Sequence, residues 1–256
     1  MKKRLLYQIL FFLLSIGILG FVVLAGKKSI HNICPYAIVC FGALKGNLLT
    51  LGLGIAALGG FLGILFMVVA MFWGRVFCGF ICPLGSAQEF LYSLKRRRKK
   101  RTQIPYFAER KLSKLKYWVL GITMILVVTG FSWIYINFCP IYALSRLPAL
   151  ALGGLLTVVA IVISGMFLER FWCRFLCPYA ALLNISQALG TLFGIKRIKV
   201  RRNLERCIDC GICSINCPMN LDILSEEFVS SSDCIHCMRC SEKCPKSGTI
   251  CKGRES

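Results

Sequence analysis

Acidic residues are scarce in this chain: 11 Asp and Glu stand against 32 Lys and Arg over 256 residues, a formal charge of +21. Histidine is scarcer still. His31 and His236 are the only two, which argues against a haem held by paired histidines. Polar residues are too few to cover a soluble domain of this length, since 57% of the residues are hydrophobic and the mean hydropathy is +0.68; composition favours a membrane class. No aromatic-interleaved basic surface or nucleic-acid module accompanies the positive charge. The basic residues are therefore read as charge beside membrane spans, with no nucleic-acid partner. No convincing small-residue cleavage site follows the first apolar run, which is also long for a signal core, so it is read as a retained span.

Four uncharged apolar runs are present: Leu5–Ala25, Leu48–Trp73, Tyr117–Ile136 and Leu147–Leu168. Each approximates the roughly 20 residues that cross a hydrocarbon core as a helix. The expected fold of this part is a membrane all-α domain of four transmembrane helices in two tandem two-helix repeats. The basic segments Lys2–Arg4, Lys95–Arg101 and Lys196–Arg202 predict cytoplasmic termini and middle loop. The expected location is the bacterial or archaeal cytoplasmic (inner) membrane, multi-pass and in contact with lipid, with the terminal domain on the cytoplasmic side.

What is plentiful is cysteine, with 16 residues. "CIDCGICSINCP" from Cys207 and "CIHCMRCSEKCP" from Cys234 each read C-x2-C-x2-C-x3-C-P. Bacterial two-cluster ferredoxins use this run, and the fourth cysteine of each run ligates the other cluster. That predicts Cys207, Cys210, Cys213 and Cys244 on one [4Fe–4S] cluster, and Cys234, Cys237, Cys240 and Cys217 on a second. Zinc also uses C-x2-C, but does not need the further cysteines in duplicate with a proline after each run. Only 16 residues separate the runs, so the clusters should hold this small module folded. The division is residues 1–198 for the membrane all-α domain, with repeats at about 5–94 and 115–190, and residues 199–256 for a small α+β bacterial-type 2[4Fe–4S] ferredoxin domain. Cys251 lies outside both runs and is expected to be an unligated thiol.

A second pattern sits among the apolar runs. "FCGFICPLG" places Cys78-x3-Cys82-Pro83, and "WCRFLCPYA" repeats it 95 residues later as Cys173-x3-Cys177-Pro178. Proline disfavours helix at the preceding cysteine and readily opens a new helix, whose N-terminus favours a thiolate. Parallel repeats packed about a pseudo-twofold axis would bring Cys78, Cys82, Cys173 and Cys177 together. Four thiolates suffice for a third iron–sulfur cluster or redox site; simple packing of small buried residues is the alternative. Cys34, Cys40 and Cys139 are expected on the outer side, with disulfide, redox or metal roles open.

At "WGRVFCGFICPLG", "WCRFLCPYA" and the two terminal runs, the chain resembles the polytopic ferredoxin-type membrane proteins of the NapH kind. It is also similar to the membrane-and-ferredoxin region of the nitrous-oxide reductase regulator and to oxidase accessory proteins with the same C-x3-C-P pairs. The resemblance implies electron transfer between the quinone pool, clusters and redox partners or reductase subunits, with the chain as a component of a quinol dehydrogenase. Glu89 and Glu169, near the cytoplasmic boundary, are candidate proton acceptors, set against the plainer reading of surface carboxylates near arginines. A redox assembly or regulatory factor for a respiratory complex, reducing a metal or thiol, is the alternative.

Overall fold

A computed structural model describes residues 2–24, 35, 55–96, 104–140 and 152–254. Helix α1 is Lys2–Leu24. The first repeat continues with α2 (Ile55–Trp73), the five-residue α3 (Val76–Phe80) and α4 (Pro83–Arg96). After α5 (Tyr106–Leu112), α6 (Leu115–Val128) and α7 (Ser132–Phe138), the second repeat follows as α8 (Leu152–Phe167), α9 (Phe171–Phe175) and α10 (Pro178–Leu192). The chain ends with β1 (Ile198–Arg202), α11 (Ile212–Ile215), α12 (Arg239–Lys243) and β2 (Ile250–Arg254).

The expected four-span membrane bundle is corrected here. Among the described residues, no helix is long and apolar enough to cross a membrane. The third apolar run, Tyr117–Ile136, is divided: Gly130 turns left-handed at φ 84°, and the Thr129 hydroxyl donates back to the Ile125 carbonyl, ending α6 at 14 residues. That helix rises about 21 Å, short of a core of roughly 30 Å. The fourth run yields the 16-residue α8, about 24 Å long. In α1, the buried Gln8 donates to the Gly79 carbonyl, tying that helix to α3. The third apolar run thus exceeds the helix built from it, because turn residues inside the run stop the backbone ladder.

The two repeats exchange partners. α2 of the first packs on α10 of the second, and α8 of the second packs on α4 of the first. Likewise α1 lies against α4 and α6 against α10. Small residues permit the close approaches: a Cβ on Gly190 would stand 3.2 Å from Met71. Ser186 Oγ donates to the Met67 carbonyl at 2.7 Å and Tyr179 Oη to Gly63 at 3.3 Å, so the α2–α10 seam carries polar locks inside an apolar contact.

β1 and β2 pair antiparallel, from Ile198 opposite Arg254 to Arg202 opposite Ile250. This ribbon closes the cysteine-rich module end to end. Cys251 sits on it, exposed and opposite Arg201. One apolar core joins the helical region to the terminal module, running from Ala70, Leu120 and Leu183 in the helices to Val200, Ile223, Val229 and Ile235 beyond them.

Candidate iron–sulfur centre

The two terminal runs are copies 27 residues apart, and their backbones repeat as well. Asp209 (φ 48°) and His236 (φ 50°) are left-handed at one position, Gly211 (φ 73°) and Met238 (φ 56°) at another. Left-handed residues between successive cysteines curl each x2 loop so that three side chains point inward. The conformation is strained for His and Met, the kind of cost retained at functional sites. α11 and α12 then begin directly after Gly211 and Met238 and carry the third cysteine of each run.

Two voids result. Cys207, Cys210, Cys213 and Cys244 line a cavity of about 350 Å³ including its open mouth. Cys217, Cys234, Cys237 and Cys240 line a second of about 370 Å³. Each takes three cysteines from one run and the fourth from the other. Among the described residues, no three His, Cys, Asp or Glu side chains converge where a single metal ion would sit. The thiols ring a space instead, as a polynuclear cluster requires. A further observation fits an anionic sulfur-rich occupant. Buried Arg202 lines the first cavity, with Nη1 3.5 Å from Cys207 Sγ and 2.5 Å from Asp209, yet its Nε has no partner, and neither does the hydroxyl of Thr249 beside it. Orphaned buried donors are costly and mark a missing acceptor. Burial pushes the Cys234 thiol up to about 12, and Cys213 and Cys240 upward too, so ligation must displace their protons.

The cysteines of the helical repeats also lie within electrostatic reach of one another. Burial first, then mutual repulsion, raises Cys82 to about 11 and Cys177 to about 12, and lifts Cys173 against Cys82, Cys177 and Cys78. α3 and α9 carry Cys78 and Cys173, while Cys82 and Cys177 precede the prolines that open α4 and α10. Two arginines cross-link the set, and sequence reasoning did not single them out. Arg75, fully buried, donates to the Cys173 carbonyl at 3.4 Å, and Arg170, equally buried, donates to the Cys78 carbonyl at 2.5 Å. The same 95-residue offset that relates the cysteines relates these arginines, a signal that was present in the sequence.

Their acidic partners differ. Arg170 pairs with Glu89 at 2.7 Å, and Arg239 with Glu169 and, at 3.6 Å, with Glu89. Glu89 and Glu169 are therefore committed to arginines, but Glu169 is buried and not the surface carboxylate expected of it. Arg75 and Lys116 instead share Asp233, the residue before Cys234, with Asn184 donating to it at 2.9 Å. Burial pushes Asp233 up, but Arg75 and Lys116 outweigh it and hold the carboxyl below its usual range. Two buried cations against one carboxylate leave a surplus positive charge beside the four thiols, and Arg75 Nε is unpaired. Cys139 is buried; Cys34, Cys40 and His31 lie outside the described residues.

Comparison with known proteins follows the same division. The family described as "4Fe-4S binding domain" matches residues 53–101 and again 150–196, one match per repeat, and that described as "4Fe-4S dicluster domain" matches 199–247. The ferredoxin-type protein NapH of Haemophilus influenzae is 29% identical over 197 residues, covering 71% of this chain and 63% of NapH. The chain is similar to the NapH-like ferredoxin-type [4Fe–4S] proteins. MJ0750, an uncharacterized protein of Methanocaldococcus jannaschii, is 29% identical over 217 residues and 84% of both chains. MauN, a methylamine utilization ferredoxin-type protein of Methylorubrum extorquens, is 32% identical over 165 residues, 62% of this chain. The match spans about half the length of several of these relatives, 52% of MauN and 53% of YccM from Escherichia coli. No solved structure matches. The chain carries two [4Fe–4S] clusters, in keeping with its dicluster match.

Proposed function

We propose that this NapH-like chain passes electrons between the quinone pool, or a redox partner at the cytoplasmic membrane, and its two clusters. Cys207, Cys210, Cys213 and Cys244 hold one cluster; Cys234, Cys237, Cys240 and Cys217 hold the other. The observation that carries this reading is the crossed lining of the two cavities, three cysteines from one run and one from the other. A bound [4Fe–4S] cluster supplies one-electron storage on thiolate-held iron. The chain's own residues would hold both clusters, insulating the second with Val200, Met219, Ile223 and Val229 and setting the charge around the first through Arg202.

Cys78, Cys82, Cys173 and Cys177 form a third redox site in this proposal. The surplus buried cation between Arg75, Lys116 and Asp233 supports an anionic occupant there, because an uncompensated buried charge is expensive. Quinol is the expected donor, with partner redox subunits completing the reaction. Large apolar side chains left exposed, among them Leu13 on α1, Phe61 on α2, Ile125 on α6 and Leu156 on α8, support a surface facing lipid or a membrane partner. The basic segment Lys196–Arg202 supports a terminal module, residues 199–256, held at the anionic cytoplasmic face of the membrane after residues 1–198.

Anaerobic purification with iron counting and EPR tests the assignment. About eight irons per chain fit the terminal module alone, and about twelve fit a third cubane. A reduced quinol analogue added to the oxidised protein should elicit the cluster EPR signals. A colourless, iron-free chain overturns the ligand reading, and clusters that ignore quinol overturn the donor.

A further inference from the structure

The two terminal cavities are not equivalent in their surroundings. We infer that Cys217, Cys234, Cys237 and Cys240 form the internal relay that faces the helical cysteines, and that Cys207, Cys210, Cys213 and Cys244 form the port where electrons are exchanged with an outside redox protein. The inference rests on the ligand assignment proposed above.

Three contacts converge on the second run. A Cβ on Gly79, next to Cys78, would lie 2.5 Å from the carbonyl oxygen of Ile235, which sits between Cys234 and Cys237. The two cysteine segments touch backbone to backbone, and only glycine allows it. Gly74 likewise lies against His236, where a Cβ would meet Nε2 at 2.7 Å. Ion pairs brace the same face: Arg75 to Asp233 at 2.5 Å just before Cys234, and Arg239, between Cys237 and Cys240, to Glu169. Asn220, which donates to the Ile104 carbonyl at 2.8 Å, follows Cys217, itself a residue of the second cavity. Electron transfer weakens steeply with separation, so this junction is the short way in.

The first cavity has the opposite character. Cys210, Ile208 and Lys246 at its mouth are exposed, and the Asp209 side chain is 73% exposed. Cys217, Cys237 and Cys240 of the second cavity are all buried under apolar walls. One electron moves per step between the two sites, and no bond forms or breaks. Buried Arg202 beside Cys207 favours the electron at the port, since a cation and a hydrogen bond to a ligating sulfur stabilise the more negative reduced state.

The experiment is relaxation EPR on the full reduced chain with a water-soluble gadolinium chelate. The chelate should speed relaxation of one terminal signal only, and Arg202→Gln should lower the midpoint of that same signal. Gly79→Ala should alter the other signal alone, while Gly121→Ala, whose Cβ meets nothing within 4 Å, alters neither. Where Gly79→Ala loses iron, Asp233→Asn is read in its place. The inference falls if the chelate reaches both signals equally, if it reaches the one Arg202→Gln leaves unmoved, or if the Gly79 and Asp233 variants disturb the chelate-reached signal. An iron-free wild-type chain would instead sink the ligand assignment beneath it.

Discussion

Two duplications operate in this molecule, one at 27 residues and one at 95. In the terminal module the copies are close, and the exchange between them is made by ligands: each cavity borrows a cysteine from the other run. In the helical region the copies are far apart. There the exchange is made by packing and by arginine, α2 on α10, α8 on α4, and each arginine on the other repeat's cysteine carbonyl. A short repeat can share ligands directly, whereas a long one must first bring its halves together. The copies of the terminal module therefore interlock through cysteines, and those of the helical region through buried charge and close contact.

That contrast can be broken most severely at the shared ligands. Cys217→Ser should remove the cluster of the second run while sparing the first, and Cys244→Ser should do the reverse, each lowering the iron count by about four atoms per chain. Iron analysis with EPR of the two variants checks the crossing; loss of the same signal from both would refute it. Next in size is the charge knot. Asp233→Asn strands Arg75 and Lys116 in the interior, and breaking a buried pair in this way costs about 3–5 kcal/mol. Denaturant unfolding of the holoprotein reads it.

His236 offers a gentler handle on the junction between the helical region and the terminal module. Burial, then Arg197 and Lys252, lowers its pKa to about 4. The folded state thus disfavours the proton that the unfolded chain takes up near pH 6.5. Stability from this group is complete above about pH 6.5 and declines toward pH 4, by at most about 3 kcal/mol. His236→Gln should flatten that stretch of the stability–pH curve, and an unchanged slope would remove His236 as its source. The smallest effect belongs to the exposed Arg201–Glu227 pair on the ribbon, 2.8 Å apart. Arg201→Ala should cost no more than about 1 kcal/mol, and less in high salt; thermal melts at two ionic strengths suffice.

The spacing of Cys207–Cys217 and Cys234–Cys244 was legible because ligand geometry is local: x2 and x3 gaps leave few ways to wrap three sulfurs round one space. The paired helices after Pro83 and Pro178 were legible for a similar reason, since proline is at home in the first turn of a helix. The spans were misjudged where hydropathy outran helix length. Gly130 and Thr129 end α6 inside an unbroken apolar run, and periodic hydrophobicity alone does not register such a stop. Arg75 and Arg170 were visible at their shared offset, yet a basic residue beside an apolar segment reads as topological charge until its partner is known.

By itself the chain's sequence determined the cysteine spacing, the two repeats and the crossed lining of the terminal cavities, because each depends on spacings of a few residues or on direct duplication. Tertiary structure alone decided that Asp233 answers both Arg75 and Lys116, that Gly79 meets Ile235, and that one cavity is sheltered while the other opens outward. Those outcomes join residues more than a hundred positions apart, and only packing, which has no trace in local pattern, brings such partners within reach.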